Sequence, residues 1–320
     1  MKKINIGILF GGKSAEHDVS LQSAKNIISA LNKKKYQITP IKIDRNGQFN
    51  FSSIKKIAVI FPVLHGPFGE DGSMQGLLKL AGVSFVGPSV LGSAVGMDKE
   101  ITKRILRDNG IPVGKFSTFL LNEKISFEKV KKELGIPLFI KPANMGSSVG
   151  INKVRNEKEF NKAIAEAFKY DTKIIIEEFI DGREIECAML GNEHPIASLP
   201  GEIIANQDFY SYDAKYIDAG SVAIIPAKID KKTTKKIQEL AIKTFQALNC
   251  EGMSRVDFFL KKNGSVLVNE INTIPGFTDI SMYPKLWEAS GIPVSKLLDR
   301  LIELAIERFR REQKLKTTVK

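Results

Sequence analysis

The chain has 320 residues, of which 43% are hydrophobic and 26% are charged. These values are typical of a soluble globular protein, and the length allows two or three domains with substantial cores. The net charge of +12 would permit nucleic-acid or acidic-lipid binding. However, lysines and arginines are interleaved with acids except in the tail after Arg308, so a solvated basic surface explains them better. We therefore expect neither a nucleic-acid nor a membrane partner.

The cysteines and the start of the chain indicate its compartment. Cys187 and Cys250 lie far apart and outside any metal-binding spacing, which indicates a reducing compartment without a disulfide framework. The apolar run near the N-terminus is short and is interrupted by Asn5, so a first β-strand explains it better than a signal peptide. From the sequence, we expect no segment that is long and apolar enough to span a membrane. We expect a cytoplasmic enzyme.

The first hundred residues alternate between predicted strands and helices, which favours an open α/β domain with a parallel sheet. A first helix is predicted because Ala24, Ile27, Ile28 and Leu31 lie at the spacing of one helix face. The other predicted elements are strands at Ile4–Phe10, Ile38–Ile43, Ile57–Leu64 and Val83–Val86, and a helix at Ser73–Leu80.

Residues 7–14 match the P-loop pattern, but we reject this match. A P-loop needs free backbone amides around the phosphate, whereas residues 8–10 are apolar and continue the first strand. What remains is a loop at residues 11–18, at the sheet edge where ligands bind in such folds. Glu16 and His17 lie in it. On residue type alone, the preferred explanation for both is a position at the helix N-terminus, where the dipole favours acids.

A second strand-end loop, His65–Gly72, contains three glycines. They allow either a close approach of the backbone to a ligand or simply tight turns. His65 is one of three histidines in the chain, and its loop position favours a functional role.

A second unit is predicted at residues 98–182, opened by Asp98 as a helix cap. A loop rich in glycine and serine at residues 143–150 follows an apolar strand that ends in Lys141. Such a strand–loop–strand arrangement offers amides, hydroxyls and a cation to a phosphate, although a hairpin loop without a ligand is as well supported. The predicted elements are a helix from Asp98 to about Asn109, a strand at Phe116–Leu120, a helix ending at Leu134, and strands at Leu138–Lys141, Ile151–Val154 and Lys173–Ile180.

The third unit, residues 183–320, is expected to follow a tight hairpin turn at Asp181-Gly182. The segment Phe209–Tyr216 is unusually aromatic. Such a loop can close over a site and exclude water, or it can anchor itself to the core. The other predicted elements are a strand at Arg183–Leu190, a helix at Lys231–Leu248, and a C-terminal helix with Leu297, Leu298, Leu301, Ile302 and Ala305 on one face.

The most informative stretch is Arg255–Phe277, where two apolar-rich runs flank Asn263-Gly264. This dipeptide is a strong signal for a two-residue hairpin turn. Because side chains alternate along a strand, counting outward from the turn assigns the polar residues to one face and the apolar residues to the core. The expected opposed pairs are Leu260–Leu267, Asp257–Glu270 and Arg255–Asn272, and the expected core residues are Val256, Phe258, Leu260, Leu267 and Ile271.

A directly opposed Asp–Glu pair is destabilising unless a cation lies between the carboxylates. Asp257 and Glu270, with the amide oxygen of Asn272, form an all-oxygen set that suits Mg²⁺ shared with substrate phosphates. The alternative is an exposed hairpin whose charges face water. Arg255 and Pro275-Gly276 nearby favour the metal–phosphate site.

Five short motifs, in chain order, resemble those of the ATP-grasp enzymes and, within them, the D-alanine–D-alanine ligase family. The resemblance extends from about Ile4 to Ile306, with Glu16 in the first loop. One motif alone is weak, but five in this order are specific. The motifs are His65-Gly-x-x-Gly-Glu-Asp-Gly72, Lys141-Pro with Gly146-Ser-Ser-Val-Gly150, Ala214-Lys215-Tyr216, Arg255-x-Asp257 and Glu270-Ile-Asn272-Thr-x-Pro-Gly276.

This resemblance implies three α/β domains, at residues 1–97, 98–182 and 183–320, with ATP bound between the second and third. Lysines would contact the phosphates, the loop at residues 146–150 would cover them, and a linker strand would face adenine. The implied nucleotide-binding residues are Lys99, Lys141, Ser148, Glu177, Glu178, Phe179, Ile180, Glu184 at the ribose, Phe209 near the base, Lys215 and Asn269. Two Mg²⁺ or Mn²⁺ ions are implied at Asp257, Glu270 and Asn272, in agreement with the register argument.

The resemblance also implies a substrate site beside the metal. The implied residues are Glu16, Ser147 and Tyr216, which would orient substrate and pin the aromatic loop; Arg255 and the Gly276 amide, which would stabilise an oxyanion; Ser281, which would bind the second carboxylate; and His65. The implied reaction joins two D-alanines through D-alanyl phosphate, with ATP converted to ADP and phosphate, for peptidoglycan synthesis. A homodimer is usual in the family.

Three alternatives remain at this point. A ligase that makes D-alanyl-D-lactate is the nearest, although Tyr216 favours an amine nucleophile. Another ATP-grasp carboxylate–amine ligase, similar to glutathione synthetase, fits less well because of Glu16 and the His65 loop. A non-catalytic nucleotide-binding protein or an RNA binder fits least, because the aromatic residues cluster with acids and glycines rather than with lysines. One departure from the family is Glu178, where lysine is frequent.

Overall fold

The computed structural model describes residues 3–204, 222–316 and 318. Within this part of the chain, the strands form three sheets. None of the helices in the described ranges is both long and apolar enough to cross a membrane. Three residues expected at the site, Phe209, Lys215 and Tyr216, lie outside the described residues.

The first sheet is parallel, with strand order β2-β1-β3-β4, as the alternation of strands and helices predicted. Ile8 and Leu9 are fully buried inside β1, which confirms that residues 7–14 are not a P-loop. The elements are β1 (Ile4–Gly11), α1 (His17–Ala30), β2 (Tyr36–Ile43), a 3₁₀ helix (Phe51–Lys56), β3 (Val59–Val63), α2 (Ser73–Leu80), β4 (Ser84–Phe85) and α3 (Val90–Met97).

The second sheet is antiparallel, with strand order β5-β8-β6-β7. The predicted cap is confirmed, because the Asp98 carboxylate accepts hydrogen bonds from the amides of Glu100 and Ile101. The elements are α4 (Lys99–Asp108), β5 (Phe116–Leu120), α5 (Phe127–Leu134), β6 (Leu138–Pro142), β7 (Asn152–Val154), α6 (Glu157–Ala167) and β8 (Lys173–Glu178).

The third sheet has the order β12-β11-β9-β13-β14, with β10 paired to β9. Its central strands, β9 and β13, have neighbours on both sides and are mostly buried. The elements are β9 (Gly182–Gly191), β10 (Ile196–Ala197), β11 (Gly201–Ile204), β12 (Val222–Ile224), α7 (Lys231–Ala247), β13 (Gly252–Lys261), β14 (Val266–Asn272), α8 (Met282–Ala289) and α9 (Val294–Glu312).

The prediction of a hairpin at Asp181-Gly182 is wrong. β8 pairs with β5 and β6, whereas β9 pairs with β11 and β13, so the dipeptide connects two different sheets. Gly182 is explained by a close backbone contact rather than by a turn. A Cβ at this position would lie 3.1 Å from the carbonyl oxygen of Leu260, so glycine permits the close pairing of β9 with β13.

The hairpin at Asn263-Gly264 forms, but with a three-residue turn. The Lys261 amide donates to the Ser265 carbonyl (2.9 Å), and Gly264 adopts a left-handed φ of 79°. Near the turn, Leu260 therefore pairs with Val266 rather than Leu267. The residues of β14 that enter the core are Val266, Val268 and, as predicted, Ile271, whereas Leu267 is only half-buried, so its expected core position is wrong.

An irregularity in β14 restores the predicted pairs farther along. The register shifts between Asp257 and Phe258, where Asn269 is the extra residue of a β-bulge. Beyond it, Asp257 lies opposite Glu270 and Arg255 opposite Asn272, so these two predicted pairs are confirmed. The polar face that the sequence predicted thus forms despite the longer turn.

The first sheet and the C-terminal helix α9 share one hydrophobic core, to which Ile6, Ile27, Leu298 and Leu301 contribute. Asp299 on α9 accepts hydrogen bonds from Tyr36 Oη (2.8 Å) and Lys35 Nζ (2.6 Å). Both ends of the chain therefore stabilise the same region. The domain boundaries at 97/98 and 182/183 remain a proposal.

Candidate active site

Two neighbouring cavities contain most of the described residues that the sequence analysis singled out. The first has a volume of about 770 Å³ and the second about 500 Å³. Both are lined by Glu186, Ile203, Asn269 and Glu270, so they meet at the edge of the third sheet. Such paired cavities allow two ligands to be held side by side, with acidic groups between them.

The described candidate residues divide between these cavities. The first cavity is lined by Glu16, His65, Lys99, Ser147, Arg255, Asn272, Gly276 and Ser281. The second is lined by Lys141, Ser148, Glu177, Glu178, Phe179, Ile180, Glu184 and Asp257, and Asn269 and Glu270 line both.

The loop between β6 and β7 lies across the junction of the cavities. Ser147 lines the first cavity and Ser148 the second, and both adopt left-handed φ angles of 51° and 60°. Consecutive left-handed residues other than glycine are strained, which is common where a backbone is shaped for a ligand. Lys99 Nζ donates to the Met145 carbonyl (2.6 Å) and lies 3.9 Å from Glu270 Oε2, so it joins this loop to the junction.

Lys141 lies at the end of β6 and pairs with Glu177 on β8. The second oxygen of Glu177 lies 2.7 Å from Lys103 Nζ, so one buried carboxylate bridges two lysines. Burial alone would raise the pKa of Glu177, but the two lysines outweigh burial and lower its pKa to about 2. Lys103 was not predicted as a site residue, although it lies one helical turn after Lys99.

Glu178 lies at the end of β8, the strand expected to face adenine, and its side chain is held by the backbone of a neighbouring segment. Its carboxylate accepts a hydrogen bond from the Lys115 amide (2.8 Å), which accounts for an acidic residue where the family frequently has lysine. Phe179 is 39% exposed; Lys153 Nζ lies 4.7 Å from the centroid of its ring, and the Phe139 ring centroid lies 6.3 Å from it. The second cavity therefore has an aromatic surface on which a flat base can stack.

Three acidic residues lie in a row across the third sheet. Glu186 on β9 is opposite Asp257 on β13, which is opposite Glu270 on β14. Arg255 donates from Nε and Nη2 to the two oxygens of Asp257, each at 2.7 Å, and its Nε lies 3.1 Å from Glu186 Oε2. Burial would lower the pKa of Arg255, but these acids outweigh it, so its pKa is raised and it stays charged.

Glu186 was not predicted as a site residue. Polar–apolar alternation at Arg183–Leu190 predicted a half-buried strand, and that pattern gives a glutamate an exposed position. In the structure, β11 and β13 flank β9, and residues 185–191 are all buried. Because burial here depends on pairing between distant segments, the sequence carries no local signal for it.

The metal hypothesis fits the residues at the junction. Asn272 Oδ1 is buried and has no hydrogen-bond partner among the described residues, although a buried amide oxygen normally has one. It lies on β14 two residues beyond Glu270, on the same face. In the described ranges, no three His, Cys, Asp or Glu side chains form a metal cage. Two carboxylates and one amide suit an ion that shares its remaining positions with water and phosphates.

Glu16, His65 and Glu70 lie together in the first cavity. Glu16 occupies the N-cap position of α1 and is buried, but its carboxylate makes no capping hydrogen bond with the helix. A Cβ at Gly146 would lie 3.2 Å from Glu16 Oε2. The glycine therefore allows the β6–β7 loop to approach this carboxylate.

His65 and Glu70 both bind the backbone at Ile274. His65 Nδ1 donates to the Ile274 carbonyl (3.0 Å), and Glu70 accepts from the Ile274 amide (3.3 Å) and the Gly66 amide (2.7 Å). Burial, and then the charge of Glu16, raise the pKa of Glu70 to about 8. Burial lowers the pKa of His65, so its imidazole is neutral. Glu70 was quoted in a motif but not expected as a site residue.

Gly276 and Ser281 also line the first cavity, just before α8. Ser281 Oγ accepts from the Thr278 amide (2.9 Å), and a Cβ at Gly276 would lie 2.9 Å from this oxygen. Only glycine therefore fits beside the serine. The arrangement places backbone amides and a hydroxyl near the helix N-terminus, where a carboxylate is favoured.

Known proteins resemble the chain along its whole length. A family profile described as D-ala D-ala ligase N-terminus matches residues 5–56 and 50–88, and one described as D-ala D-ala ligase C-terminus matches residues 105–303. A D-alanine–D-alanine ligase of Oceanobacillus iheyensis is 49% identical, with 99% of both proteins covered.

Solved structures agree with this result. The D-alanine–D-alanine ligase from Coxiella burnetii superposes with a TM-score of 0.89 at 41% identity, covering 98% of this chain and 97% of that one. The D-alanine–D-alanine ligase from Bacillus anthracis complexed with ATP gives a TM-score of 0.84 at 32% identity, covering 98% and 100%. The chain therefore belongs to the D-alanine–D-alanine ligase family, whose members are ATP-dependent ligases with the ATP-grasp fold.

Proposed function

We propose that the chain joins two D-alanine molecules into D-alanyl-D-alanine for peptidoglycan synthesis, with ATP converted to ADP and phosphate. The observation that carries this proposal is the junction of the two cavities at Glu186, Asn269 and Glu270. A nucleotide in the second cavity and D-alanine in the first would place phosphate and carboxylate next to each other. The relatives named above support the choice of substrate.

The first step transfers the γ-phosphoryl group of ATP to the carboxylate of the first D-alanine. This step is needed because an amine does not displace oxide from a carboxylate at a useful rate. Lys141 and Lys99 would hold the phosphates, Phe179 and Ile180 would contact adenine, and Glu184 would bind the ribose. Burial would lower the pKa of Lys141, but the charges of Glu177 and Glu270 outweigh it and raise this pKa, so Lys141 is cationic at neutral pH.

Asp257, Glu270 and Asn272 would hold Mg²⁺ or Mn²⁺ at the junction, and two ions are proposed there. Their chemistry is to neutralise the negative charge that develops on the phosphates during transfer. The buried amide oxygen of Asn272 supports this assignment, because it lacks a partner among the described residues. Arg255 neutralises part of the charge of Asp257 and Glu186.

In the second step, the amine of the second D-alanine attacks the acyl phosphate and phosphate leaves. Arg255 and the Gly276 amide would stabilise the oxyanion of the tetrahedral intermediate, and losing such a donor typically costs about 10²-fold in rate. Ser281 would bind the second carboxylate. Glu16 would bind the ammonium of the first D-alanine, and with Ser147 and Tyr216 it would fix the loops that exclude water.

Phosphate release from MgATP tests the proposal, with D-alanine, L-alanine, D-lactate plus D-alanine, and no acceptor. D-Alanyl-D-alanine as the product with D-alanine alone is the expected result. An ester formed when D-lactate is present would instead assign a depsipeptide ligase. A homodimer and a cytoplasmic location belong to the same proposal, and size-exclusion chromatography with light scattering tests the oligomeric state.

A further inference from the structure

In the Lys103–Glu177–Lys141 cluster, two positively charged lysines surround one negatively charged carboxylate. Lys103 Nζ lies 2.7 Å from Glu177 Oε1, and Lys141 pairs with Glu177 Oε2. The exposed fractions of the three side chains are 3% for Lys103, 11% for Glu177 and 8% for Lys141. All three line the second cavity. Lys103 comes from helix α4, whereas the other two come from neighbouring strands of the second sheet.

A phosphate in the second cavity would compete with Glu177 for the charge of Lys141. In the structure its ammonium pairs with Glu177. Turning that ammonium toward a phosphate weakens the pair, and a buried carboxylate left without its partner is strongly destabilising. Lys103 removes this difficulty, because it keeps its own contact with the other oxygen of Glu177 while Lys141 moves.

We propose that Lys103 is a positioning residue for nucleotide binding, which neutralises Glu177 when Lys141 turns toward the phosphates. This inference rests on the proposed function, in which Lys141 contacts the phosphates. It assigns Lys103 a role that acts through Glu177 and Lys141 rather than through direct contact with ATP. Its effect is therefore confined to ligands that carry phosphates.

Among the described residues, the variant Lys103→Met leaves Lys141 as the only cation within contact of Glu177, so Lys141 is retained there. We expect its affinity for ADP to fall about tenfold or more, which corresponds to about 1.4 kcal/mol. Affinity for adenosine, which has no phosphate, should stay within about twofold, a difference of roughly 0.4 kcal/mol. Lys103→Arg should restore ADP binding, because arginine keeps the charge and reaches the same carboxylate.

A double-mutant cycle separates this role from a general effect of charge. Removing one positive charge near the phosphates would weaken ADP binding even without any link to Glu177. In that case, Glu177→Gln would change the affinity by the same factor with and without Lys103. If Lys103 acts through Glu177, Glu177→Gln should raise the affinity of the Lys103→Met protein, and by a larger factor than in the unaltered protein.

The experiment is calorimetric titration of the full chain with ADP and with adenosine, accompanied by thermal unfolding of each variant. If Lys141→Met leaves ADP binding unchanged, the phosphate role of Lys141 in the proposed function is wrong, and this inference is wrong with it. If Lys141→Met weakens binding but Lys103→Met does not, only the inference is overturned. Equal factors for Glu177→Gln in both backgrounds, or equal losses for ADP and adenosine, also overturn it.

Discussion

The guanidinium of Arg255 is held by Asp257 through two hydrogen bonds of 2.7 Å, one from Nε and one from Nη2. The two residues are next-but-one neighbours on β13 and therefore lie on the same face of the sheet. Glu186 on the adjacent strand lies 3.1 Å from the same Nε, so acids on two strands fix one cation. This arrangement fixes the orientation of the guanidinium before substrate binds.

The first prediction concerns Glu186, which orients Arg255 from the neighbouring strand. The ion pair between Glu186 and Arg255 is largely buried, so Glu186→Gln should lower kcat roughly tenfold, about 1.4 kcal/mol. The KM for ATP should not rise, because the nucleotide phosphates lose one negative neighbour. Steady-state phosphate release measures both constants. Glu239→Gln, which alters a 3.8 Å surface pair with Lys235 on α7, is the control and should leave them unchanged.

A rise in the KM for ATP with an unchanged kcat in Glu186→Gln would mean that Glu186 binds nucleotide and does not orient Arg255.

The second prediction concerns the metal site. Glu270→Ala removes a half-buried carboxylate that lines both cavities, so it should reduce ligation by about 10²-fold or more, as expected when transition-state charge is left unbalanced. The fold should remain, because the side chain belongs to the ligand-facing side of β14. Phosphate release over a range of Mg²⁺ concentrations and circular dichroism melting measure the two effects. Turnover near that of the unaltered protein would exclude this hairpin as the metal site.

The third prediction concerns acid stability. The pKa of Glu177 in the folded protein is about 2, below its ordinary value of 4.5. Its charged form therefore stabilises the fold above pH 4.5, and this contribution is lost as the pH falls toward 2. The contribution is on the order of 3 kcal/mol. Urea unfolding between pH 3 and 6 should give a smaller slope of stability against pH for Glu177→Gln. An unchanged slope would contradict the pairing with Lys103 and Lys141.

The fourth prediction concerns Gly146, where a Cβ would lie 3.2 Å from the Glu16 carboxylate. Gly146→Ala should lower activity about tenfold or more, because a small displacement of this loop misplaces reacting groups. Its thermal stability should change little. Gly76→Ala is the matched control: a Cβ at Gly76 on α2 meets nothing within 4 Å, so stability should rise by up to about 1 kcal/mol and activity should stay unchanged. Equal activity of the two variants would contradict the account of Gly146.

The opposition of Asp257 and Glu270 was predictable from sequence, although the turn was not. Asn263-Gly264 predicted a two-residue turn, and the third turn residue moves the pairs nearest the turn by one position. The bulge at Asn269 then moves them back. No local pattern marks the bulge, and its position is set by how β14 pairs with β13.

The site residues that were not predicted from the sequence are those that depend on contacts between distant segments. Three residues of the site depend on partners far away in the sequence. Lys103 pairs with Glu177, 74 positions away, and Glu186 pairs with Arg255, 69 positions away. Glu70 binds the amide of Ile274, 204 positions away. From residue type alone, each of them is expected to be an exposed charge on the surface. By contrast, caps and helix faces such as Asp98 and Leu298 were predictable, because their determinants lie within one or two turns of the chain.

The measurement that tests the central claim most directly is phosphate release from MgATP by the purified protein, with D-alanine or L-alanine as the only amino acid. The account predicts turnover with D-alanine alone and recovery of D-alanyl-D-alanine in an amount equal to the phosphate released. Measurable ATP binding without turnover on D-alanine would contradict the substrate assignment while leaving the nucleotide cavity in place.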